Sequence, residues 1–332
     1  MTKSANQELS EVARSVLRDN WVALANNSGF SKPAAHVYPY QWNWDSGFAA
    51  IGYAHFDVDR ACQELQTLFY GQWENGMLPH IIFHTESLDY FPDQAFWQAS
   101  ECSDDAPENP QTSGMTQPPV HAIAVWRIYQ QLKQKDAGKA RDWLAEMYPK
   151  LRKLHEFFYT KRDREQTGLI TIYHPWESGM DNSPRWDEPL MNITVGNSGK
   201  YQRRDTNFID KRFRPSDASY DKYIFLAKKM KEARYDEDRL AEAHPFAVKD
   251  ILLSAILHLA TGYLEKIAAV LQEDTNMIKD WHRRFPRNIS AQQGADGLFY
   301  DQDVRQKTLI QVKTAACFAP VVAGVCGQKQ TE

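Results

Sequence analysis

Four stretches of the chain gather side chains able to hold and cleave a polar ligand. They are His36–Phe48 (HVYPYQWNWDSGF), Glu74–His84 (ENGMLPHIIFH), Gly114–Ala122 (GMTQPPVHA) and Ile172–Asp187 (IYHPWESGMDNSPRWD). Aromatic rings offer flat apolar faces to the C–H side of a pyranose, while Asp, Gln and Arg fork hydrogen bonds to its hydroxyls. A carboxylic acid set against aromatic surface has a raised pKa and can protonate a leaving oxygen. Trp176 and Trp186 flank Glu177 and Asp181, which supplies that setting. The chemistry implied is cleavage of a glycosidic bond.

Taken singly, the same residues have plainer explanations. Asp45 is placed either to cap the helix that follows or to meet a ligand. Asp181, in Asp-Asn-Ser-Pro, is of the kind that starts a turn. Gln117 stands before Pro118-Pro119, where it could simply close a loop ahead of a helix starting near Pro119. His80 and His84 have i, i+4 spacing but lack the glutamate of an HExxH pair and sit beside Pro79 in a β-like run, so no metal site is expected.

The elements that must carry these stretches are mostly helices. An amphipathic helix is predicted over 5–20, an apolar stretch over Phe48–Phe56 and a second helix near 57–73. Residues 119–133 are apolar almost all round, as a buried helix should be, whereas 137–161 keep one stripe (Ala140, Trp143, Leu144, Met147, Leu151, Leu154). The alternation returns later: 216–233 and 236–243 are polar-striped, 247–271 is strongly apolar, 273–292 is single-striped and 313–325 is apolar again. Alternating inner and outer helices predict an all-α toroid of hairpins. Only Gly168–Tyr173 (GLITIY) reads as a short strand. The connections near 25–44, 74–118, 164–182 and 187–215 are long, and loops beyond about 12–15 residues are usually functional or disordered. Their tryptophans argue for function, with the loops lining one end of the toroid. No repeat and no Gly/Ser linker divides residues 1–332, so one domain is expected.

Composition narrows the partners. Against 43 Asp and Glu there are 39 Lys and Arg, a net charge of −4, which makes nucleic acid a poor partner. The longest nearly apolar run, Ile251–Ala260, is broken by Ser254 and His258, so no membrane-spanning segment is expected. The first twenty residues lack the apolar core of a secretory signal. Cys62, Cys102, Cys317 and Cys326 are widely spaced and fit free thiols, pointing to the cytoplasm. Oligomeric state is not readable.

The motifs together resemble a known family. YPYQWNWDSGF (from Tyr38), MLPH (from Met77), SGMTQPP (from Ser113) and especially HPWESGMDNSPRWD (from His174) closely resemble the bacterial mannosylglycerate and glucosylglycerate hydrolases of glycoside hydrolase family 63. They more distantly resemble trehalases and processing α-glucosidases. The likeness continues through RPSDASYDKY (Arg214–Tyr223) and DGLFYDQD (Asp296–Asp303). It implies an (α/α)6 barrel, an inverting mechanism and no cofactor. Position by position, Asp181 matches the family's general acid. Tyr38, Trp42, Asp45, Gln117, Trp176 and Gly179 match residues of the sugar subsite, and Tyr90 falls in a more variable loop beside them. Arg214 and Tyr220 fall where the family holds the glycerate part. A guanidinium there can grip a carboxylate with two parallel hydrogen bonds, the plainer alternative being a surface ion pair beside Pro215.

An inverting hydrolase also needs a second carboxylate, roughly 6.5–9.5 Å from the acid, to activate water. In the resembled family this is a glutamate near the C-terminus, after a Tyr/Trp-rich segment, and neither feature is found in the sequence. The helices number about ten where the barrel needs twelve. The expectation is an α-glycoside hydrolase domain truncated at its C-terminal side and incomplete as a catalyst, with Glu177, Asp45, Asp301 and Asp303 as the conceivable substitutes. The competing readings are a catalytically dead sugar-binding protein, or an epimerase or isomerase that would use His121, His174, His244 or His258.

Overall fold

The computed structural model describes residues 5–25, 27–85, 90–196, 201–207 and 209–325. Cys326 and the segment 327–332 lie outside them. Nine helices of seven or more residues organise the described part: α1 (Ala5–Asp19), α2 (Asn43–Ala54), α3 (Val58–Phe69), α4 (His121–Lys135), α5 (Ala137–Phe157), α6 (Asp217–Glu232), α7 (Glu237–Ala243), α8 (Ile251–Leu271) and α9 (Asn276–Asn288). Most begin where a short polar side chain satisfies a free amide of the first turn. Asp57 accepts from Arg60 N, Asp136 from Lys139 N, Ser216 from Ser219 N and Asp250 from Leu253 N.

Three helical hairpins form the body. Each of α2/α3, α4/α5 and α8/α9 packs internally, and the first members α2, α4 and α8 lie against one another in sequence. The outer helices show the single stripe that such a position requires: Ile278, Trp281 and Phe285 are the buried residues of α9. Helix α8 has the length and hydropathy of a membrane span, contrary to the sequence reading, but 61% of its most apolar window is buried inside the protein. Its interruptions fit that place: Ser254 Oγ and Thr261 Oγ1 each donate to a carbonyl one turn back, and both residues are buried.

One helical expectation fails. Residues 313–325 form no long helix; they make a 3₁₀ turn, Ala315–Phe318, and a single α-turn, Ala319–Val322, with Pro320 at the start of the latter. The helix expected near Pro119 is present and runs from His121, with Val120 at its cap position.

The expectation of a single strand also fails. Among the described residues nine short strands build three antiparallel sheets: β1 (Trp21–Ala23) with β2 (Gly29–Ser31); β3 (Gln41–Trp42), β4 (Ile81–Phe83) and β5 (Gln111–Thr112) in that order; and β6 (Thr171–Ile172), β7 (Val248–Lys249), β8 (Asp301–Asp303) and β9 (Thr308–Ile310). Runs of two or three residues are too short to display an alternating pattern. Their effect is large nonetheless. The β3–β4–β5 sheet brings His36–Phe48, Glu74–His84 and the approach to Gly114–Ala122 side by side, with Trp42 opposite Ile81 and Ile82 opposite Thr112. The third sheet fixes the entry to Ile172–Asp187 against β7.

Candidate active site

The long loops enclose a cavity of about 650 Å³, counting its open mouth. Of the residues singled out in the sequence, Tyr38, Trp42, Tyr90, Gln117, Trp176, Asp181, Arg214 and Tyr220 line it. The strand pairing explains why: Trp42 ends β3, and Gln117 leaves the segment after β5. Gln117 Oε1 accepts from Trp44 N at 3.4 Å, tying the two segments together.

The aromatic wall is built by edge and face contacts that fix each ring. Trp42 meets Tyr38 edge-on at 5.0 Å and Tyr90 at 5.4 Å. Trp176 lies over His80, 6.2 Å between centroids and 24° from parallel, and 4.5 Å from His174. His174 sets that position with both nitrogens: Nε2 donates to Tyr223 O at 2.9 Å and Nδ1 accepts from Trp176 N at 3.0 Å. That pattern requires the neutral ring, and burial lowers its pKa to about 4. Burial likewise lowers His80 to about 3, so the wall carries no cationic histidine.

Asp181 sits in the turn that follows this wall. Its backbone carbonyl accepts from Tyr223 Oη at 2.9 Å, and Trp186 Nε1 donates to the carbonyl of Met180 at 2.9 Å. The side chain is exposed to the solvent that fills the cavity, while protein encloses it on the other sides. Desolvation by that enclosure raises its carboxyl to about 7, with the nearby Asp45 adding to the rise and Arg214 opposing it. The desolvation belongs to a cavity wall, not a dry core, and becomes complete only when a ligand displaces the water.

Three sequence-singled residues stand elsewhere. Asp45 is not a cap: Trp42 occupies that position without a side-chain cap bond, and Asp45 lies in the first turn of α2, accepting from its own amide. It is half-buried outside the cavity lining, its charge adds to the rise of Asp181, and burial lifts its own carboxyl to about 6. Gly179 also lies outside the lining. It has φ +69°, and a β-carbon there would sit 2.4 Å from the Trp44 indole, so it lets the loop close down on α2. Trp186 is buried in the core, 1% exposed, and flanks nothing in the cavity.

Two buried ion-pair clusters anchor the acid-bearing loop at its ends, and neither was found from the sequence. On one side Arg162 donates to both carboxylate oxygens of Glu177, at 2.9 and 3.0 Å, and to Glu237 at 3.0 Å. Glu177 also accepts from Tyr173 N and Thr116 N, which joins the Gln117 segment to the Trp176 segment. On the other side Arg185 pairs with Asp301 at 2.8 Å and Asp250 at 3.5 Å. These contacts revise the reading of the spare carboxylates. Glu177 is committed to Arg162. Asp301 belongs to strand β8, fully buried on Arg185 and Ile251 N, rather than to a polar turn. Asp303 accepts from Arg305 N and Gln306 N.

Arg214 reconciles the two alternatives left open for it. It does form an ion pair, Nε to Asp205 Oδ2 at 2.8 Å, but within the cavity wall, where Nη1 also donates to Tyr38 Oη at 3.2 Å. Tyr220 Oη donates to Phe91 O at 3.2 Å. The histidines of the epimerase reading are scattered and outside the cavity lining. His121 meets Asn43 O, His244 meets Phe246 O and Leu226 O, and His258 stacks on His282. Among the described residues no group of His, Cys, Asp and Glu is arranged to hold a metal ion, and Cys62, Cys102 and Cys317 are free.

Comparison with known proteins agrees with this geometry. Residues 38–332 match the mannosylglycerate hydrolase MGH1-like glycoside hydrolase domain. The chain is 42% identical over 306 residues to a mannosylglycerate hydrolase of Thermus thermophilus, covering 91% of this chain and 72% of that one. It is 40% identical over 316 residues to a glucosylglycerate hydrolase of Mycolicibacterium hassiacum, covering 92% and 71%. A crystal structure of the family 63 mannosylglycerate hydrolase from Thermus thermophilus with Tris and D-glycerate superposes with a TM-score of 0.88 at 40% identity, over 97% of this chain and 74% of that one. Neutral trehalase from Saccharomyces cerevisiae, at 14% identity, a TM-score of 0.51 and coverage of 97% and 59%, shares the fold alone. The fold class is the all-α (α/α)6 barrel of this group of enzymes.

Proposed function

Since the chain belongs to the mannosylglycerate hydrolase MGH1-like glycoside hydrolases of family 63, we propose that its cavity takes a small α-glucosyl or α-mannosyl conjugate of glycerate. In this reading Asp181 is the general acid of an inverting hydrolysis. The sugar lies against Trp42 and Trp176, with Gln117 and the Tyr38 and Tyr90 hydroxyls in reach of its oxygens. The protonated Asp181 carboxyl gives its proton to the glycosidic oxygen as the bond from that oxygen to the anomeric carbon breaks. A water molecule attacks the anomeric carbon from the opposite face, which inverts it, and hands its own proton to a second carboxylate. The observation that carries the reading is a carboxyl raised to about 7 in an aromatic cavity, since a general acid must still hold its proton at working pH.

The second carboxylate is the open part. Glu177, Asp301 and Asp303 are occupied by Arg162, Arg185 and a turn's amides. Of the four substitutes weighed, Asp45 alone accepts from no other residue among the described residues, and it stands outside the cavity lining. That favours a second reading, in which the 332 residues bind the sugar conjugate without turning it over.

Both readings are tested by titrating the purified chain with α-glucosylglycerate and α-mannosylglycerate and following products by proton NMR. Hydrolysis that releases glycerate and the inverted sugar, reduced about 10²–10⁴-fold by Asp181→Asn with binding retained, supports the first. Binding without release supports the second. Hydrolysis unaffected by Asp181→Asn contradicts the assignment of the acid.

A further inference from the structure

The mouth of the cavity carries more positive charge than its ion pairs use. Arg203, Arg204 and Arg214 are clustered there with Asp205 and Asp217, three guanidinium groups against two carboxylates. Arg203 takes Asp205 with two parallel bonds, Nε to Oδ1 at 3.0 Å and Nη2 to Oδ2 at 2.8 Å, and reaches Asp217 at 2.8 Å and Pro215 O at 2.9 Å. Its guanidinium also lies 4.3 Å over the Tyr220 ring. Arg214 adds a third bond to Asp205, so both oxygens of that carboxylate are occupied. Arg204 lines the cavity, is half-buried, and makes no side-chain hydrogen bond or ion pair among the described residues.

The surroundings leave that side chain one use. Arg203 and Asp205 on either side of it are fixed to each other, and Asn207 N closes a turn on the Arg204 carbonyl at 3.0 Å, so the backbone that presents it is anchored. Arg204 lines the same cavity as Asp181, together with Asp205 and Arg214. A planar guanidinium with every N–H uncommitted, at the aglycone end of a cavity, is suited to a carboxylate, which it can hold with two parallel bonds.

We propose that Arg204 is a specificity-determining residue that selects an anionic aglycone, supplying the free half of a two-arginine clamp whose other half, Arg214, is held rigid by Asp205 and Tyr38. This rests on the reading of the cavity as an α-glycosylglycerate site and adds to it a residue outside the family motifs. Arg214 orients the ligand, whereas Arg204 contributes the charge discrimination, since its field is the one not already cancelled.

Calorimetry on the 332-residue chain separates the possibilities, with α-glucosylglycerate as one ligand and α-glucosylglycerol, its uncharged counterpart, as the other. The wild-type chain is expected to prefer the carboxylate by about tenfold or more, as hydrogen bonds to a charged group permit. Arg204→Met should remove about tenfold of that preference while moving the affinity for α-glucosylglycerol by less than about twofold. Arg204→Lys, which keeps the charge without the fork, should restore part of it. An unchanged preference in Arg204→Met overturns the proposal, and so does an equal loss for both ligands, which would indicate a structural role. A wild-type chain that binds neither ligand overturns the reading of the cavity itself, a result distinct from either.

Discussion

Glu177 and Asp181 lie four residues apart on one loop, and their surroundings drive them to opposite protonation states. Glu177 points into the protein, is fully buried, and meets a guanidinium and two backbone amides. Although burial works against it, those contacts hold its carboxyl below the ordinary range. Asp181 points into the cavity, where desolvation, with a smaller contribution from Asp45, outweighs the pull of Arg214. The lesson is a division of labour within one turn. The ionised carboxylate serves as an anchor, and the loop it anchors turns the other carboxyl into the cavity. Charge placement, rather than residue type, separates structural from chemical roles.

The comparison can be broken by substitutions that ought to act with opposite sign. The largest effect belongs to Glu177→Gln, which strips Arg162 of its bidentate partner and frees the Tyr173 and Thr116 amides. It should cost about 3–5 kcal/mol in urea denaturation and loosen the Trp176 wall. A cost below about 1 kcal/mol would mean that the cluster is not an anchor.

Asp181→Asn should do the reverse at alkaline pH. A carboxyl whose folded pKa lies above its unfolded value makes the native state bind protons more tightly, so ionising it loses stability as pH climbs from about 4 through about 7. The amide has no such loss. After allowance for the water in the cavity, Asp181→Asn should be more stable than wild type by about 1 kcal/mol at pH 8 and no different near pH 4. Destabilisation at both values would place Asp181 among the anchors.

The smallest effect sharpens the contrast within the anchor itself. Glu237 shares Arg162 with Glu177, but burial pushes its carboxyl to about 7 against the opposing pull of that guanidinium. One cation therefore supports one anion, and the second carboxyl holds its proton below neutrality. Glu237→Gln should change stability at pH 6 by less than about 0.5 kcal/mol. A loss as large as that of Glu177→Gln would show that both glutamates are charged there.

Much of this arrangement was readable from the chain because its determinants are local. The stripes of α5 and α9 and the all-round apolarity of α8 identify outer and inner helices, and the His174–Asp187 motif carries the cavity's acid with it. What could not be read depends on contacts far apart in sequence. Arg162 meets Glu237 across 75 positions, and Arg185 meets Asp301 across 116. Neither pairing leaves a local pattern. Strands of two or three residues escape for the same reason, since their order exists only in the partner. Trp186 was misjudged because adjacency along the chain was taken for adjacency in space. It turns into the core while Trp176 lines the cavity.

The central claim is the protonation state of Asp181. Carbon-13 NMR of aspartate-labelled protein, with the Asp181 carboxyl assigned by its absence from Asp181→Asn, measures it without requiring turnover. A titration midpoint near 7 is the expected result. A midpoint near 4, the ordinary aspartate value, would contradict the assignment of this side chain as the proton donor.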